Sequence, residues 1–263
     1  MKILKAPFGA GAMTRKDGIE KGPDKIVGFF DSFYMSEGGL LSLFETEDVA
    51  VDNSNIGASH EAVFEAVQKS CASREQVILL GGDHSITYPS FKAFVKHNPG
   101  AGLIVFDSHP DVEHHMVPPT HEDYLRTLID EDLLESDKVM LVGVRNPTKE
   151  EKKYLDENKI KNYSMKEISL EGVREVCDAV MSVARQWPKA YVSVDIDAID
   201  PAFAPGTGYP EPGGLTSREM IYFIQRLKLM RNIGMVDLVE VNPDKDVNDM
   251  TSRLAAKLIV ELG

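Results

Sequence analysis

The sequence predicts an α/β fold, a three-layer α/β/α sandwich around a mainly parallel sheet of about eight strands. Short apolar runs alternate with amphipathic segments along the 263 residues, as expected for parallel strands covered by helices on both faces. Hydrophobic residues make up 43% of the chain, which is enough for a sizeable core. No repeat, low-complexity tract or linker interrupts the sequence, so we expect one domain over residues 1–263.

Each predicted strand is a short apolar run, and each predicted helix is an amphipathic segment. The predicted strands are Lys2–Ala6, Asp48–Val51, Val77–Leu80, Gly102–Phe106, Lys138–Val144, Ala190–Ile196 and Met235–Val241. The predicted helices are Ser59–Ala72, Ser85–His97, Glu122–Asp132, Thr148–Asn158, Leu170–Trp187, Ser217–Met230 and a last helix that ends near Glu261. In open sheets of this kind, ligands bind beyond the carboxyl ends of the strands. The residues that directly follow the strands are therefore the first candidates for a functional site.

The composition argues against several classes of partner. The formal net charge is -13 and lysine and arginine form no cluster, so we expect no nucleic-acid binding. No run of about 18 apolar residues is present, so we expect no membrane span. Cys71 and Cys177 lack the spacing of metal ligands, and the first residues lack the apolar stretch of a secretion signal. Together these features predict a cytoplasmic protein.

Polar and ionisable side chains gather at the ends of four of the predicted strands or directly after them. The segments concerned are Gly81–Ser85 (GGDHS), Asp107–Asp111 (DSHPD), Asp195–Asp197 (DID) and Glu240–Pro243 (EVNP). In an extended chain, residues i and i+2 point to the same side, and Pro110 disfavours helix at the residue before it. We therefore expect four carboxylates and two imidazoles to face one cavity: Asp107, Asp111, Asp195, Asp197, His84 and His109.

Four buried carboxylates would repel one another and lose solvation at severe cost unless cations lay among them. Two divalent ions cancel four negative charges, and mixed nitrogen and oxygen ligands suit manganese, zinc, cobalt or nickel. Taken singly, an aspartate after a strand is more often a helix N-cap, and we interpret Asp200 as a turn residue. Asp83 argues against a phosphate-binding turn at Gly81 and Gly82. The three acidic and histidine motifs together favour a binuclear metal site.

These motifs resemble the ureohydrolase superfamily, which contains arginases, agmatinases, guanidinobutyrase-type enzymes and formimidoylglutamases. The segment Ala202–Leu215 also resembles the family loop after the DxD strand, and Gly18–Pro23 resembles its N-terminal loop. The resemblance spans nearly the whole chain. It implies an arginase-like fold, two Mn(II) ions per chain and a homo-oligomer, a trimer or hexamer.

The resemblance also implies a role for each polar side chain. The implied metal ligands are His84 and Asp111 on the more exposed ion, His109 and Asp197 on the second, and Asp107 and Asp195 as bridges. Glu240 matches the glutamate that pairs with the substrate guanidinium. His121 matches the histidine that shuttles protons, with His114 and His115 as competing choices and a helix-start residue as the alternative interpretation of His121.

The implied reaction is hydrolysis of a C–N bond in a small guanidino compound. Two metal ions would hold a hydroxide that attacks the guanidinium carbon. Asp111 would pass a proton to the departing amine, and His121 would exchange protons with solvent. Glu240 would orient the planar guanidinium through paired hydrogen bonds.

The substrate is less closely specified than the reaction. Arginases usually follow DxHxD with an Asn-bearing loop and a Ser-Gly-Asn-x-His-Gly run, whereas this chain has VEHHMVPPT at 112–120. The absence of the arginase run favours agmatine, and Glu113 and Glu122 suit a dication. Arginine, a guanidino acid or formimidoylglutamate is the alternative. Tyr209 stands where the family often has a small residue and Ser108 where it often has alanine, so we expect Tyr209 to shape the substrate pocket.

Two other classes of protein fit the motifs less well. Deacetylases share a related fold but use one zinc ion, and the second set of ligands, Asp107, Asp111 and His84, argues against them. Binding or regulatory proteins that keep the fold usually lose metal ligands, whereas all six are present here.

Overall fold

The computed structural model describes residues 1–13, 18–40, 43–72 and 76–263. Within these ranges one sheet contains eight strands, every neighbouring pair is parallel, and the spatial order is β2-β1-β3-β8-β7-β4-β5-β6. The strands are β1 Lys2–Ala6, β2 Glu45–Asp48, β3 Val77–Gly81, β4 Gly102–Phe106, β5 Val139–Val142, β6 Lys161–Tyr163, β7 Ala190–Asp195 and β8 Ile233–Val239. The predicted α/β class and parallel sheet are confirmed.

Helices connect the strands and cover the sheet. The α-helices are α1 Gly22–Val27, α2 Ile56–Ala72, α3 Thr87–His97, α4 Tyr124–Asp130, α5 Lys149–Glu157, α6 Met165–Glu171, α7 Val173–Ala184, α8 Ser217–Leu227 and α9 Met250–Leu262. None of the helices in the described ranges is both long and apolar enough to cross a membrane.

Side chains that alternate along the strands supply two separate hydrophobic cores, one on each face of the sheet. Ile78 and Leu80 of β3 belong to the core beneath α7, α8 and α9, whereas Leu79 belongs to the core beneath α2 and α3. On β4, Phe106 belongs to the core beneath α7, α8 and α9, and Val105 belongs to the core beneath α2 and α3. Because both faces are covered, the central strands are largely apolar, which explains why the hydrophobic pattern of the sequence locates them.

Two edge strands differ from the prediction. The second strand covers Glu45–Asp48 instead of Asp48–Val51, and Lys161–Tyr163 forms an unpredicted strand at the opposite edge. Both strands are short and largely polar. An edge strand is buried less than a central one, so it needs no continuous apolar run, and hydrophobic pattern alone does not locate it.

The prediction of one continuous helix over Leu170–Trp187 is wrong. The chain forms two helices, α6 and α7, on either side of Gly172. Gly172 has φ of 100°, a backbone conformation that glycine adopts without the cost of a Cβ. The helix Gly22–Val27 is absent from the prediction. It has six residues, too few for its apolar period to stand out.

The strands followed by polar motifs are neighbours in the middle of the sheet. They are β3, β8, β7 and β4, in that spatial order, although they are far apart in sequence. Since all run in the same direction, their carboxyl ends meet at one edge. The sheet topology therefore brings the four motifs together.

Candidate active site

A cavity of about 370 Å³ lies at this edge of the sheet. Its lining includes five of the predicted metal ligands together with Glu240, His121 and Tyr209. Further lining residues are Glu113, Glu122, Asn146, Pro147, Thr148, Glu151 and Glu211. A second cavity of about 410 Å³ lies against α2 and α3, and its lining contains none of the predicted ligands.

The first group of candidate ligands surrounds the imidazole of His84. Its Nδ1 atom lies 3.1 Å from Oδ2 of Asp107, 3.1 Å from Oδ2 of Asp111 and 3.2 Å from Oδ2 of Asp195. His84 is positioned by the turn after β3, where Gly82 passes so close to the chain that a Cβ there would lie 1.9 Å from the carbonyl oxygen of Phe8. Position 82, directly before Asp83, therefore has no room for a side chain and requires glycine.

The second group comprises Asp107, His109 and Asp197. Nδ1 of His109 lies 3.1 Å from Oδ2 of Asp197 and 3.6 Å from Oδ1 of Asp107. Asp107 belongs to both groups. The ligand atoms of His84, Asp107 and Asp111 lie within 4.8 Å of one another, and so do those of Asp107, His109 and Asp197. A carboxylate common to two sets of ligands is the arrangement expected of a bridge between two ions.

The backbone conformation that produces this convergence differs from the prediction. Asp111 has φ of 53°, so residues 107–111 do not stay extended. Residues 196–198 form a turn of 3₁₀ helix, with Oδ1 of Asp195 accepting from the amide of Asp197 at 2.7 Å. Glu240 also has a positive φ, 64°. Backbone strain of this kind in residues other than glycine is concentrated at functional sites.

The electrostatics of the cluster show an excess of buried negative charge. Burial, followed by the charge of Asp107, raises the pKa of Asp111 to about 8. Burial and the neighbouring aspartates likewise raise the pKa of Asp195 and of Asp197. Burial alone would lower the pKa of His109, but its hydrogen bonds to Asp107 and Asp197 raise it well above the ordinary range. Positive charge is therefore strongly favoured within the cluster.

Two atoms of the cluster test whether divalent ions fit it. Nδ1 of His84 and Oδ2 of Asp107 are buried, and neither has a hydrogen-bond partner of acceptable geometry among the described residues. Buried polar atoms in native proteins almost always have a partner. A cation contacting both atoms would satisfy them, and the donor set of imidazole and carboxylate suits a first-row divalent metal. The residues present thus fit the two ions that the motifs predict.

Glu240 follows β8 and is only 4% exposed. Its Oε1 atom accepts a hydrogen bond from the amide of His84 at 2.9 Å and lies 3.1 Å from Nδ1 of His121. Its own amide donates to the carbonyl oxygen of Gly82 at 2.7 Å. Glu240 is thereby fixed in the cavity by the same turn that carries His84.

The structure places His121, rather than either of its competitors, in the cavity. His115 contacts Thr127 and lines the second cavity, while His114 lies in a separate surface pocket. When the ring is neutral, the amide of Met13 donates to Nε2 of His121 at 3.1 Å, and the single ring proton then lies on Nδ1, facing Glu240. Burial opposes a second proton, but the hydrogen bond to Glu240 and nearby carboxylates raise the pKa of His121 to about 9.

Tyr209 lies over the cavity between two histidines. Its ring centroid is 5.9 Å from the ring of His109 and 5.9 Å from the ring of His121. The loop 202–215 is anchored by Asp200, which accepts from the amides of Gly213 and Gly214 and so has a turn role, as predicted. Tyr209 is therefore placed to contact any molecule that enters the cavity.

Sequence reasoning missed several residues of the site. Glu211 lines the cavity, and its Oε1 atom accepts from the side-chain amide of Asn146 at 2.9 Å. Glu211 follows no strand, so no sheet-edge rule selects it. Asp237 and Ser193 lie behind His84 and are wholly buried. An aspartate inside the apolar strand Ile233–Val239 is a signal that pattern analysis could have used.

Comparison with known proteins gives a consistent family. The model of the arginase family matches residues 1–263. A formimidoylglutamase of Halalkalibacterium halodurans is 33% identical over 226 residues, which are 84% of this chain and 71% of the relative. The mitochondrial agmatinase of Gallus gallus is 33% identical over 241 residues, 89% of this chain and 67% of the relative. The crystal structure of arginase from Bacillus subtilis matches with a TM-score of 0.89 and 26% identity, covering 100% of this chain and 97% of that chain.

Proposed function

The chain belongs to the arginase family, and we propose that it hydrolyses agmatine to putrescine and urea at a binuclear metal centre. The relatives carry the names of enzymes for different substrates, and they are of similar identity to this chain. The choice among substrates therefore depends on the chemistry of the cavity.

The charge of the cavity lining is the observation that carries the proposal. Among the described residues of the lining there is no lysine or arginine, whereas glutamates lie around the candidate metal ligands. Two of these glutamates are held by neighbours: Glu113 accepts from the hydroxyl of Thr148 at 2.7 Å, and Glu211 accepts from Asn146. The guanidinium of Arg145 is occupied by backbone carbonyl oxygens, including that of Asp197 at 2.7 Å.

A substrate with two positive ends suits such a lining best. Agmatine carries a guanidinium at one end and an ammonium at the other. Arginine, 4-guanidinobutyrate and formimidoylglutamate each carry a carboxylate, which repels the glutamates and finds no lysine or arginine in the described lining. This difference favours agmatine over the acids.

In the proposed reaction, water adds to the guanidinium carbon, the bond to the alkyl nitrogen breaks, and that nitrogen leaves as the amine. Mn(II) ions held by the six ligands would supply the Lewis acidity that lowers the pKa of water. Glu240 accepts paired hydrogen bonds from the guanidinium and fixes the orientation of its plane in the cavity. Asp111 carries the proton to the departing nitrogen. His121 exchanges protons between the cavity and solvent.

A panel of four substrates tests the proposal. Manganese-loaded protein is assayed with agmatine, arginine, 4-guanidinobutyrate and formimidoylglutamate, and release of urea or formamide is measured. We expect kcat/KM for agmatine to exceed that for each acid by about 100-fold, because mismatched charge at a partly desolvated site costs several kcal/mol. A higher kcat/KM for any of the three acids would overturn the choice of agmatine.

A further inference from the structure

A chain of buried polar side chains lies behind His84, on the side away from the cavity. Nε2 of His84 lies 2.8 Å from the hydroxyl of Ser193, and that hydroxyl donates to Oδ1 of Asp237 at 2.6 Å. Ser193 and Asp237 are 0% exposed, and His84 is 1% exposed. Neither Ser193 nor Asp237 lines the substrate cavity, and the proposed reaction uses neither of them.

The far oxygen of Asp237 is fixed as firmly as the near one. Its Oδ2 accepts from the hydroxyl of Thr87 at 2.7 Å and from the hydroxyl of Tyr191 at 2.7 Å. Tyr191 in turn contacts the hydroxyl of Ser90. Three hydroxyl donors therefore converge on one carboxylate in the interior of the sheet. Burying a carboxylate costs free energy unless its oxygens are hydrogen-bonded. A carboxylate with both oxygens bonded holds the groups around it in a fixed geometry.

The hydrogen bonds of Ser193 determine whether Nε2 of the His84 ring carries a proton. A serine hydroxyl has one proton, and Ser193 gives it to Asp237, which as a carboxylate can only accept. Ser193 can then only accept from Nε2 of His84, so Nε2 carries the ring proton. In the neutral ring the lone pair is then on Nδ1, which faces the oxygens of Asp107, Asp111 and Asp195.

We propose that Asp237, acting through Ser193, is a positioning residue that holds His84 in the Nε2–H tautomer and so presents the Nδ1 lone pair to a divalent ion. The inference rests on the proposed metal centre. With Nε2 protonated, the Nδ1 lone pair of the neutral ring points at three carboxylate oxygens, an arrangement that a divalent ion placed between them stabilises. Partners of this kind behind a ligating histidine commonly contribute about 10- to 100-fold in metal affinity.

The test compares two serine-to-alanine variants. Ser193→Ala removes the link between Asp237 and His84. Ser252→Ala is the matched control, because Ser252 is also 0% exposed and also donates to an aspartate, Asp246, at 2.8 Å. Binding of Mn(II) to metal-free protein is measured by calorimetry, and thermal unfolding of the metal-free variants is measured alongside.

We expect Ser193→Ala to weaken the binding of one of the two ions by about 10- to 100-fold, and Ser252→Ala to leave both affinities within about twofold of wild type. Equal affinities in the two variants would overturn the proposal. A wild-type protein that binds no Mn(II) would contradict the metal centre itself, which is a different and separable result.

A second measurement does not depend on how the variants fold. Nitrogen-15 NMR of histidine in the wild-type protein loaded with diamagnetic Zn(II) reports which ring nitrogen of His84 carries the proton. The proposal requires a protonated Nε2 and a metal-bound Nδ1. A proton on Nδ1 of His84, or metal on Nε2, would overturn it.

Discussion

Nδ1 of His121 lies 3.1 Å from Oε1 of Glu240, and the same oxygen accepts the amide hydrogen of His84 at 2.9 Å. The carboxylate proposed to bind substrate is thus joined to the imidazole proposed to exchange protons and to the turn that carries a candidate metal ligand. For substitutions at Glu240 and His121, metal content is therefore measured in the same samples as turnover, so that loss of chemistry is distinguished from loss of the ions.

Replacing Glu240 by glutamine should abolish most turnover without removing metal. The glutamine side chain of the Glu240→Gln variant keeps an oxygen for the His84 amide but loses the charge that pairs with a guanidinium. Truncating one partner of a buried, hydrogen-bonded charge pair costs about 2–5 kcal/mol, so we expect kcat/KM for agmatine to fall by about 10²- to 10³-fold. Steady-state kinetics and metal analysis check this, and turnover near the wild-type level would contradict the role of Glu240.

Replacing His121 by alanine should slow turnover in a way that a soluble base can repair. General acid–base catalysis contributes about 10²- to 10⁴-fold, and we expect a loss in this range with unchanged metal content. Added imidazole should restore part of kcat. His115→Ala is the control, because His115 lines the second cavity instead and should leave kcat unchanged. Failure of imidazole to restore any activity would argue against proton exchange at this position.

Glu113 should determine how strongly the enzyme prefers a substrate with a second positive charge. In Glu113→Gln we expect kcat/KM for agmatine to fall by about fivefold, since a partly exposed rim charge contributes about 1 kcal/mol. The value for butylguanidine, which has a neutral tail, should not change. Glu150→Gln is the control, because Glu150 is exposed on α5 and does not line the cavity. An equal loss with both substrates would assign Glu113 a structural role.

His60 should make the protein less stable in acid. Burial lowers the pKa of His60 from 6.5 to about 4, so between these values the unfolded chain binds a proton that the folded chain excludes. The stabilising contribution is present above pH 6.5 and is lost as the pH falls toward 4, with a slope of up to about 1.4 kcal/mol per pH unit. Urea unfolding of wild type and His60→Gln across this range checks the slope, and parallel curves would contradict it.

The sequence predicts which motif residues gather at the edge of the sheet, because chemistry and topology coincide there. His84, Asp107 and Asp195 each lie at or just after the end of a buried strand, and apolar runs locate such strands reliably. The predicted reason for their convergence is only partly right. Strand order brings the residues together, but Asp111 also turns inward through a positive φ. No residue pattern predicts this φ, because aspartate adopts it where the surrounding structure imposes it.

Residues outside the motifs are harder to find from the sequence. Glu211 reaches the cavity from a loop whose path depends on Arg145, which donates to the carbonyl oxygens of Glu211 and Pro212. Such long-range contacts leave no local pattern. The break at Gly172 escapes the prediction because the apolar period on both sides of it is helical. The number of subunits and the identity of the metal stay predictions that rest on resemblance alone.

We attribute the shared cleft of the Asp107 and Asp195 carboxylates to two divalent ions that lie among them. Anomalous diffraction from crystals soaked in Mn(II) measures this directly. We expect two manganese peaks about 3.5–4 Å apart, with both carboxylates in contact with them. A single peak, or a cleft that binds no manganese, would contradict it.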